Sequence, residues 1–188
     1  MVTVRKERPA EAAARDALLD LAYGPARFTK ASERLREGRR AELALVAAEG
    51  RRIVGTVRLW RVSAGPDRRA LLLGPLAVAP DRRRRGIGST LMHHALREAA
   101  RLRHDAVLLV GDAPYYSRFG FSSEKTSALW LPGPYERHRL LGCELKPGAL
   151  DGARGLIGAR SPLEQRPDLA TLVAGLVDSD NSVAPRAA

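Results

Sequence analysis

The segment between residues 70 and 103 constrains the fold more than any other part of the chain, because it joins a buried strand to a long helix through a basic turn. Ala70 to Ala79 is a nearly continuous apolar run, which predicts a strand buried on both faces and ended by Pro80. Ile87 to Arg103 places apolar residues at helical spacing, which predicts a long amphipathic helix. The turn between them contains Arg82 to Arg85, Gly86 and Gly88.

A junction of this kind is suited to holding phosphate groups. The first backbone amides of a helix have no acceptor within the helix, and the helix dipole adds about half a positive charge there. Glycines let the backbone approach an anion without an intervening side chain. Arg83 to Arg85 add formal charge to this turn. A charge run alone is typical of a solvated turn, and it is the two glycines and the following helix that favour phosphate binding.

Two well-known phosphate-binding loops do not match this turn. A P-loop requires a Gly-Lys-Ser/Thr sequence, and the turn has no lysine. The dinucleotide-binding fingerprint requires a third glycine, and Leu91 occupies that position. The turn therefore belongs to neither of these two classes of phosphate-binding loop.

The rest of the chain predicts strands with helices between them, so the fold class is α/β or α+β. Apolar runs bounded by turn residues predict further strands at residues 2–8, 42–49, 52–62, 106–110, 127–131 and 139–145. Helical spacing predicts further helices at residues 10–21, 27–37 and 113–119. Asp112 is the predicted N-cap of the helix at residues 113–119.

The basic turn resembles the central motif of the GNAT superfamily of N-acetyltransferases. In that family Gln/Arg-x-x-Gly-x-Gly/Ala follows a strand ending in Val-x-Pro, and this chain reads Val78-Ala79-Pro80 and then Arg83-Arg84-Arg85-Gly86-Ile87-Gly88. A second family motif, Tyr-x-x-x-Gly-Phe, matches Tyr116 to Phe121. The resemblance covers roughly residues 42–145. It implies a mixed central sheet that splays beside its central strand and is flanked by helices.

The resemblance also implies an activity and a set of site residues. It implies transfer of an acetyl group from acetyl-CoA, the cosubstrate, to a primary amine by direct attack in a ternary complex. The backbone of Leu76, Ala77 and Val78 would pair with the pantetheine amides, and an N–H near Val78 would polarise the thioester carbonyl. Tyr116 would be the general acid that protonates the departing thiolate. The pyrophosphate would be held at Arg83, Arg84, Arg85, Gly86, Ile87, Gly88 and Ser89.

The general base and the acceptor are less defined. Many relatives carry a Glu on the central strand, but residues 71–79 include no acidic residue. Asp112, His138, a water chain and an amine that arrives neutral all remain open. By analogy with relatives, the N-terminal helices and residues 132–139 would line the acceptor cleft. Cys143 fits a small buried strand residue better than an acyl-cysteine nucleophile, and no Cys/His cluster suggests a metal site.

The net charge of +11 raises other kinds of function. A nucleic-acid-binding module is one alternative, but aromatic residues make up only 5% of the chain and no basic stripe alternates with them. A sensor that binds acyl-CoA without turning it over is a second alternative. The basic composition also favours an acidic or neutral acceptor over a polyamine.

The ends of the chain predict location and domain organisation. No signal peptide and no apolar window of about 18 residues is present, so we expect a cytoplasmic protein without a membrane partner. We predict an acetyltransferase domain over residues 1–150 and a C-terminal extension over residues 151–188, with a short helix at 168–177 and a disordered end. The extension packs either on the domain or on a second subunit, which leaves a homodimer open.

Overall fold

The computed structural model describes residues 1–164 and shows helices packed on a mixed sheet. The strands are β1 (Val2–Lys6), β2 (Leu43–Glu49), β3 (Arg52–Ala64), β4 (Arg69–Val78), β5 (Ala106–Val110), β6 (Leu129–Trp130), β7 (Leu140–Glu144) and β8 (Gly155–Ala159). The α-helices are α1 (Ala12–Tyr23), α2 (Ile87–Arg101) and α3 (Ala113–Tyr116). This architecture confirms the predicted fold class.

The sheet follows the spatial order β1-β2-β3-β4-β5-β7, and β8 pairs with both β3 and β6. Strands β1 to β4 are successive antiparallel neighbours. Strand β5 lies parallel to β4, and α2 provides the long connection that a parallel pair requires. The central position of β4 explains why its sequence is apolar on both faces.

Helix α2 lies against the sheet through the apolar stripe that the sequence predicts. Its buried residues are Ile87, Leu91, Met92, Ala95 and Ala99. Gly55 on β3 permits this close approach, because a Cβ at that position would lie 2.9 Å from Leu91 Cδ1 and 3.1 Å from Ile87 Cγ2. The packing fixes the start of α2 beside the end of β4.

The core has two parts, one on each face of the sheet. Helices α1 and α2 cover the first part, which includes Leu18, Leu71 and Leu91. The second part lies on the opposite face, where Leu35 and Ile157 of β8 pack against Leu72. The sheet is therefore sandwiched between two apolar layers, and β4 contributes side chains to both.

One predicted helix is wrong, since residues 27–37 form two short 3-10 turns, Pro25–Thr29 and Glu33–Leu35. Lys30 has an extended backbone between them (φ −68°, ψ 140°). The β-branched Thr29 and the nearby Ser32 have low helix propensity, and α1 ends at Gly24, whose positive φ of 62° stops the helix. The result is an irregular segment between α1 and β2.

The chain beyond residue 150 differs from the sequence analysis. The described structure continues into the same sheet through β8, whereas we placed the end of the domain at residue 150. The sequence of β8 gave no clear strand signal, because it contains Gly155 and Gly158. Gly158 fits because its amide donates to Ser63 Oγ on β3 at 3.2 Å and a Cβ there would clash. The predicted helix at 168–177 and the predicted disordered end lie outside the described residues.

Candidate active site

The sheet opens between its two parallel strands. Strands β4 and β5 are paired only at Leu71 with Val107 and at Leu72 with Leu108. Beyond these pairs a cavity of about 210 Å³ separates residues 73–76 of β4 from residues 109–112, and we call it the splay cavity. The splayed sheet that the family resemblance implies is therefore present.

The last residues of β4 are paired on one side only. Leu76, Ala77 and Val78 lie opposite Val57, Thr56 and Gly55 of β3. The Ala79 amide donates to the Val54 carbonyl at 2.9 Å, so that amide faces β3. Because backbone groups alternate along a strand, Leu76 and Val78 present theirs to the open side.

A tyrosine from α1 confirms this orientation. The Tyr23 hydroxyl donates a hydrogen bond to the Leu76 carbonyl, which therefore points away from β3. Burial raises the pKa of Tyr23 above its ordinary value, and the charges of Arg36 and Arg83 partly offset that rise. The phenol remains protonated at neutral pH and can act as the donor.

The basic turn places a set of free amides at the start of α2. Gly86 is the N-cap of α2 with φ 77°, and Arg84 also has a positive φ of 61°. In the described structure no amide from Arg84 to Ser89 donates to a backbone carbonyl, and the first that does is Thr90, to Gly86 O at 2.9 Å. Alternating left-handed residues and free amides form a concave anion-binding surface.

The four arginines of this turn have different surroundings. Arg82 turns back to the sheet and pairs with Glu49 at 2.9 Å and with Asp81 at 2.7 Å. Arg83, Arg84 and Arg85 are exposed, and within residues 1–164 they form no ion pair. Arg82 is thus a structural residue, and the other three retain their charge for a ligand.

Tyr116 lies in the wall of the splay cavity, between β4 and β5. Its ring packs against Gly111, where a Cβ would come within 2.2 Å of Tyr116 Cε2. Burial raises the pKa of Tyr116 well above its ordinary value, and Tyr23, Tyr115 and Asp112 raise it further. The phenol is therefore fully protonated at neutral pH, which is the state that a general acid requires.

Tyr115 connects this wall with the start of α2. A Cβ at Gly88 would stand 3.0 Å from the Tyr115 hydroxyl and 3.7 Å from Val78 Cγ2. The ring of Tyr115 also packs edge-on to that of Tyr116, with 4.9 Å between centroids. Gly88 is therefore a point of close approach, and Tyr115 aligns the segment that carries Tyr116.

Neither side chain that the sequence offers as a general base is free inside the splay cavity. Asp112 lines the splay cavity, but its side chain is paired with Arg139 at 3.1 Å. It makes no side-chain capping bond to α3, so the predicted N-cap is correct in position and wrong in its hydrogen bond. His138 is exposed and does not line the cavity. Neither residue is assigned as the base.

Cys143 has the surroundings of a core residue. It lies buried on β7, with its sulfur 3.6 Å from the Phe119 carbonyl. Burial, and then the charge of Glu144, raise the pKa of the thiol, which disfavours the nucleophilic thiolate. Within residues 1–164 no group of three or more His, Cys, Asp or Glu side chains is arranged to hold a metal ion.

Several cavity residues were not identified from the sequence. Lys30 and Arg36 come from the irregular segment after α1, and Arg139 comes from the turn before β7. The prediction that the N-terminal segment and residues 132–139 border the cleft named regions but no side chains. Only the tertiary fold brings these distant residues together, so no local pattern could have found them.

Two acetyltransferases of known structure share this architecture. YhbS from Escherichia coli, solved in complex with CoA, has a TM-score of 0.73 and 29% sequence identity over 88% of this chain and 96% of its own. A GNAT family acetyltransferase from Brucella melitensis, solved in complex with acetyl-CoA, has a TM-score of 0.66 and 25% identity over 85% of this chain and 96% of its own. The fold and the splayed site thus define an N-acetyltransferase.

The chain belongs to the GNAT family of N-acetyltransferases. Residues 40–123 match the family model for the acetyltransferase (GNAT) domain. The chain is also 30% identical, over 156 residues, to the uncharacterized N-acetyltransferase YhbS of Escherichia coli strain K12, a match that covers 82% of this chain and 93% of the relative. Among the helices of residues 1–164, none has both the length and the hydrophobicity to cross a membrane. The cytoplasmic location stays a prediction.

Proposed function

We propose that this N-acetyltransferase takes the acetyl group of acetyl-CoA and transfers it to a primary amine by direct attack in a ternary complex. The observation that carries the proposal is the open edge of β4 next to the free amides at the start of α2. Two relatives with this architecture were solved with CoA or acetyl-CoA. A thioester donor that ends in a pyrophosphate needs both features, one for its amides and one for its phosphates.

The donor contacts follow from the two surfaces. The outward backbone groups of Leu76 and Val78 pair with the pantetheine amides, and Ala77 between them holds β4 to β3. The pyrophosphate accepts hydrogen bonds from the amides between Arg84 and Ser89, while the free guanidinium groups of residues 83–85 neutralise its charge. The Tyr23 bond to Leu76 occupies one acceptor on this edge, so Tyr23 moves or shares that carbonyl when the donor binds.

The reaction forms a C–N bond and breaks a C–S bond. The amine must attack as the neutral base, because its ammonium form, with a pKa of about 10.4, has no free electron pair. The outward N–H of Val78 polarises the thioester carbonyl as charge develops on its oxygen. The departing thiolate takes the phenol proton of Tyr116, and the attacking amine gives up its proton to solvent or to a base. No enzyme-bound acyl intermediate is needed, because positioning supplies much of the rate.

The first test separates this proposal from the other two functions. Millimolar acetyl-CoA is expected to raise the Tm, since a ligand that binds only the native state stabilises it. Release of free thiol in the presence of an amine panel is expected to follow. Binding without thiol release across the panel would instead indicate a sensor. The absence of a thermal shift, together with steeply salt-dependent binding to DNA or RNA, would indicate a nucleic-acid-binding module.

A further inference from the structure

The outer wall of the splay cavity carries excess positive charge. Among the described residues that line it, four are cationic (Arg27, Lys30, Arg36 and Arg139) and two are acidic (Glu33 and Asp112). The acidic residues are already paired, Glu33 with Arg36 at 2.6 Å and Asp112 with Arg139 at 3.1 Å. Arg27 pairs with Asp20 at 2.9 Å, so within residues 1–164 Lys30 is the cation of this wall that no carboxylate neutralises.

Arg36 is the most deeply placed of these cations. Its side chain is only 7% exposed, and its Nε atom is buried without a hydrogen-bond partner in the described structure. Its Nη1 atom lies 3.7 Å from the position that a Cβ would take on Gly74 of β4, at the mouth of the splay. A buried guanidinium with an unused donor is costly, and an anion in the cavity would remove that cost.

Arg139 also lines the cavity, and like Arg36 it has a buried Nε atom. It is paired with Asp112 and, at 3.4 Å, with Glu136, yet its Nε atom is also buried without a partner in the part of the chain that the structure describes. Two arginines on separate elements thus line one cavity, and each has a buried Nε atom without a hydrogen-bond partner among the described residues. A guanidinium fork suits carboxylate and phosphate oxygens.

Lys30 is the accessible cation of this group. It forms no ion pair within residues 1–164, and its ammonium group lies 4.8 Å from the centroid of the Tyr23 ring. Partial desolvation, and then the charges of Arg139 and Arg36, lower the pKa of Lys30. Arg139 and Arg36 therefore repel the ammonium group of Lys30, and a bound anion would relieve that repulsion.

We propose that the acceptor is a small amine that also carries an anionic group, either a carboxylate or a phosphate, held by Lys30, Arg36 and Arg139. This assignment rests on the proposed acetyl transfer, since the same cavity borders Tyr116 and the open edge of β4. A polyamine is disfavoured, because its second ammonium group would face the same three cations.

The test compares acceptors that differ only in charge. The carboxylate acceptors are ω-amino carboxylates from glycine to aminocaproate, and their neutral counterparts are the primary amides of the same amino acids. The phosphate acceptor is aminoethyl phosphate, and its neutral counterpart is ethanolamine. Diaminoalkanes of matching length form the cationic arm. At least one anionic acceptor is expected to have a kcat/KM for thiol release about tenfold or more above that of its neutral counterpart. Whether the carboxylates or the phosphate show this preference identifies the anion.

Variants of Lys30 assign the effect to the cavity. Lys30→Gln is expected to raise the KM of the anionic acceptor about tenfold, with kcat and the KM of acetyl-CoA unchanged and with no effect on neutral acceptors. Lys30→Arg keeps the charge and is expected to restore the KM. Arg40→Gln, which removes an exposed cation outside the cavity, is the matched control and is expected to change neither constant. Arg36 is not substituted, because its loss would leave the Glu33 carboxylate without its ion-pair partner.

The outcomes keep the two proposals apart. Equal or better turnover of neutral amines or diamines overturns the anionic acceptor and leaves acetyl transfer in place. An anion preference that Lys30→Gln does not reduce also overturns it. Thiol release from no amine, anionic or neutral, overturns the proposed transfer. In that case calorimetric binding of N-acetyl-β-alanine over its amide still tests the anion site, and equal binding of the two would exclude it.

Discussion

The Tyr116 hydroxyl lies in the wall of the splay cavity, and within residues 1–164 it makes no hydrogen bond to another side chain or to the backbone. Its ring is fixed by Gly111 and by edge contacts to Tyr115 and Phe121, whose centroids lie 4.9 Å and 6.0 Å away. The position of the phenol is thus set by packing, and its proton remains free for the reaction. This combination is expected of a proton donor that acts once per turnover.

Tyr116→Phe is predicted to lower kcat about a hundredfold, because the thiolate then leaves without its proton donor. The affinity for acetyl-CoA is expected to stay within about twofold, since the ring packing is kept. Tyr135→Phe is the matched control, because Tyr135 donates to the Leu129 carbonyl at 3.4 Å and lies outside the cavity. Steady-state thiol release and calorimetry check both variants. Unchanged turnover of Tyr116→Phe would show that another group protonates the thiolate.

Individual residues differ in how far the sequence could identify them. Tyr116, Gly86 and Gly88 could be proposed from the sequence because they stand in contiguous motifs whose spacing reflects one local structure. Lys30 and Arg139 could not, because their proposed roles depend on the path of an irregular segment and on a turn far away in the chain. The spacing of residues along the sequence does not show which distant residues meet in the fold, so these two could be identified only from the structure.

The turn before α2 is an element whose backbone shape carries the proposed function. Gly86 has φ 77°, and a Cβ there would meet no atom within 4 Å. Gly50, in the turn between β2 and β3, is its counterpart, with φ 58° and the same open space. The two glycines therefore allow backbone strain to be separated from loss of the anion surface.

Gly86→Ala and Gly50→Ala are each predicted to lower the free energy of unfolding by about 1 kcal/mol, the cost of a left-handed backbone at a residue with a Cβ. Only Gly86→Ala is expected to weaken acetyl-CoA binding, by about tenfold, because its methyl group stands where the backbone meets the pyrophosphate. Urea unfolding and calorimetry measure the two effects. Equal acetyl-CoA affinity in both variants would mean that the pyrophosphate lies elsewhere.

Helices and strands could be predicted wherever one sequence pattern, an apolar run or a helical period, was uninterrupted. Strand β5 matches its predicted bounds, and α2 begins at its predicted residue, because an uninterrupted apolar run and a sustained helical period were present. The segment over residues 27–37 was wrong, since helical spacing competed there with poor helix formers. Strand β8 was missed because its glycines weaken the strand signal, while its pairing with β3 comes from tertiary contacts.

The whole molecule carries a net charge of +11. Such a charge destabilises a compact state through self-repulsion, and the chain limits this by pairing its carboxylates with cations. Arg5 binds Glu11 at 2.6 Å, Arg52 binds Asp81 at 2.9 Å, and Lys125 binds Glu144 at 2.9 Å. Each pair removes a local excess of positive charge, so the ionised carboxylates contribute to the stability of the fold.

Stability is therefore predicted to fall in acid. A hydrogen bond from Arg5 lowers the pKa of Glu11 to about 2, and hydrogen bonds from cations likewise lower the pKa values of Asp81, Glu98 and Glu144. Their ordinary values near 4 apply in the unfolded chain, which thus binds more protons than the folded one between about pH 4.5 and pH 2. Stability from these groups is complete above that window and is lost as the pH falls through it. Each protonation also raises the net positive charge, and the added repulsion lowers stability further.

Urea midpoints measured at about pH 6, pH 4 and pH 3 are expected to decrease in that order. In the Arg5→Gln variant the pKa of Glu11, measured by NMR, is expected to return toward its ordinary value. A midpoint that stays constant over this range would show that the carboxylate pairs contribute nothing to the fold.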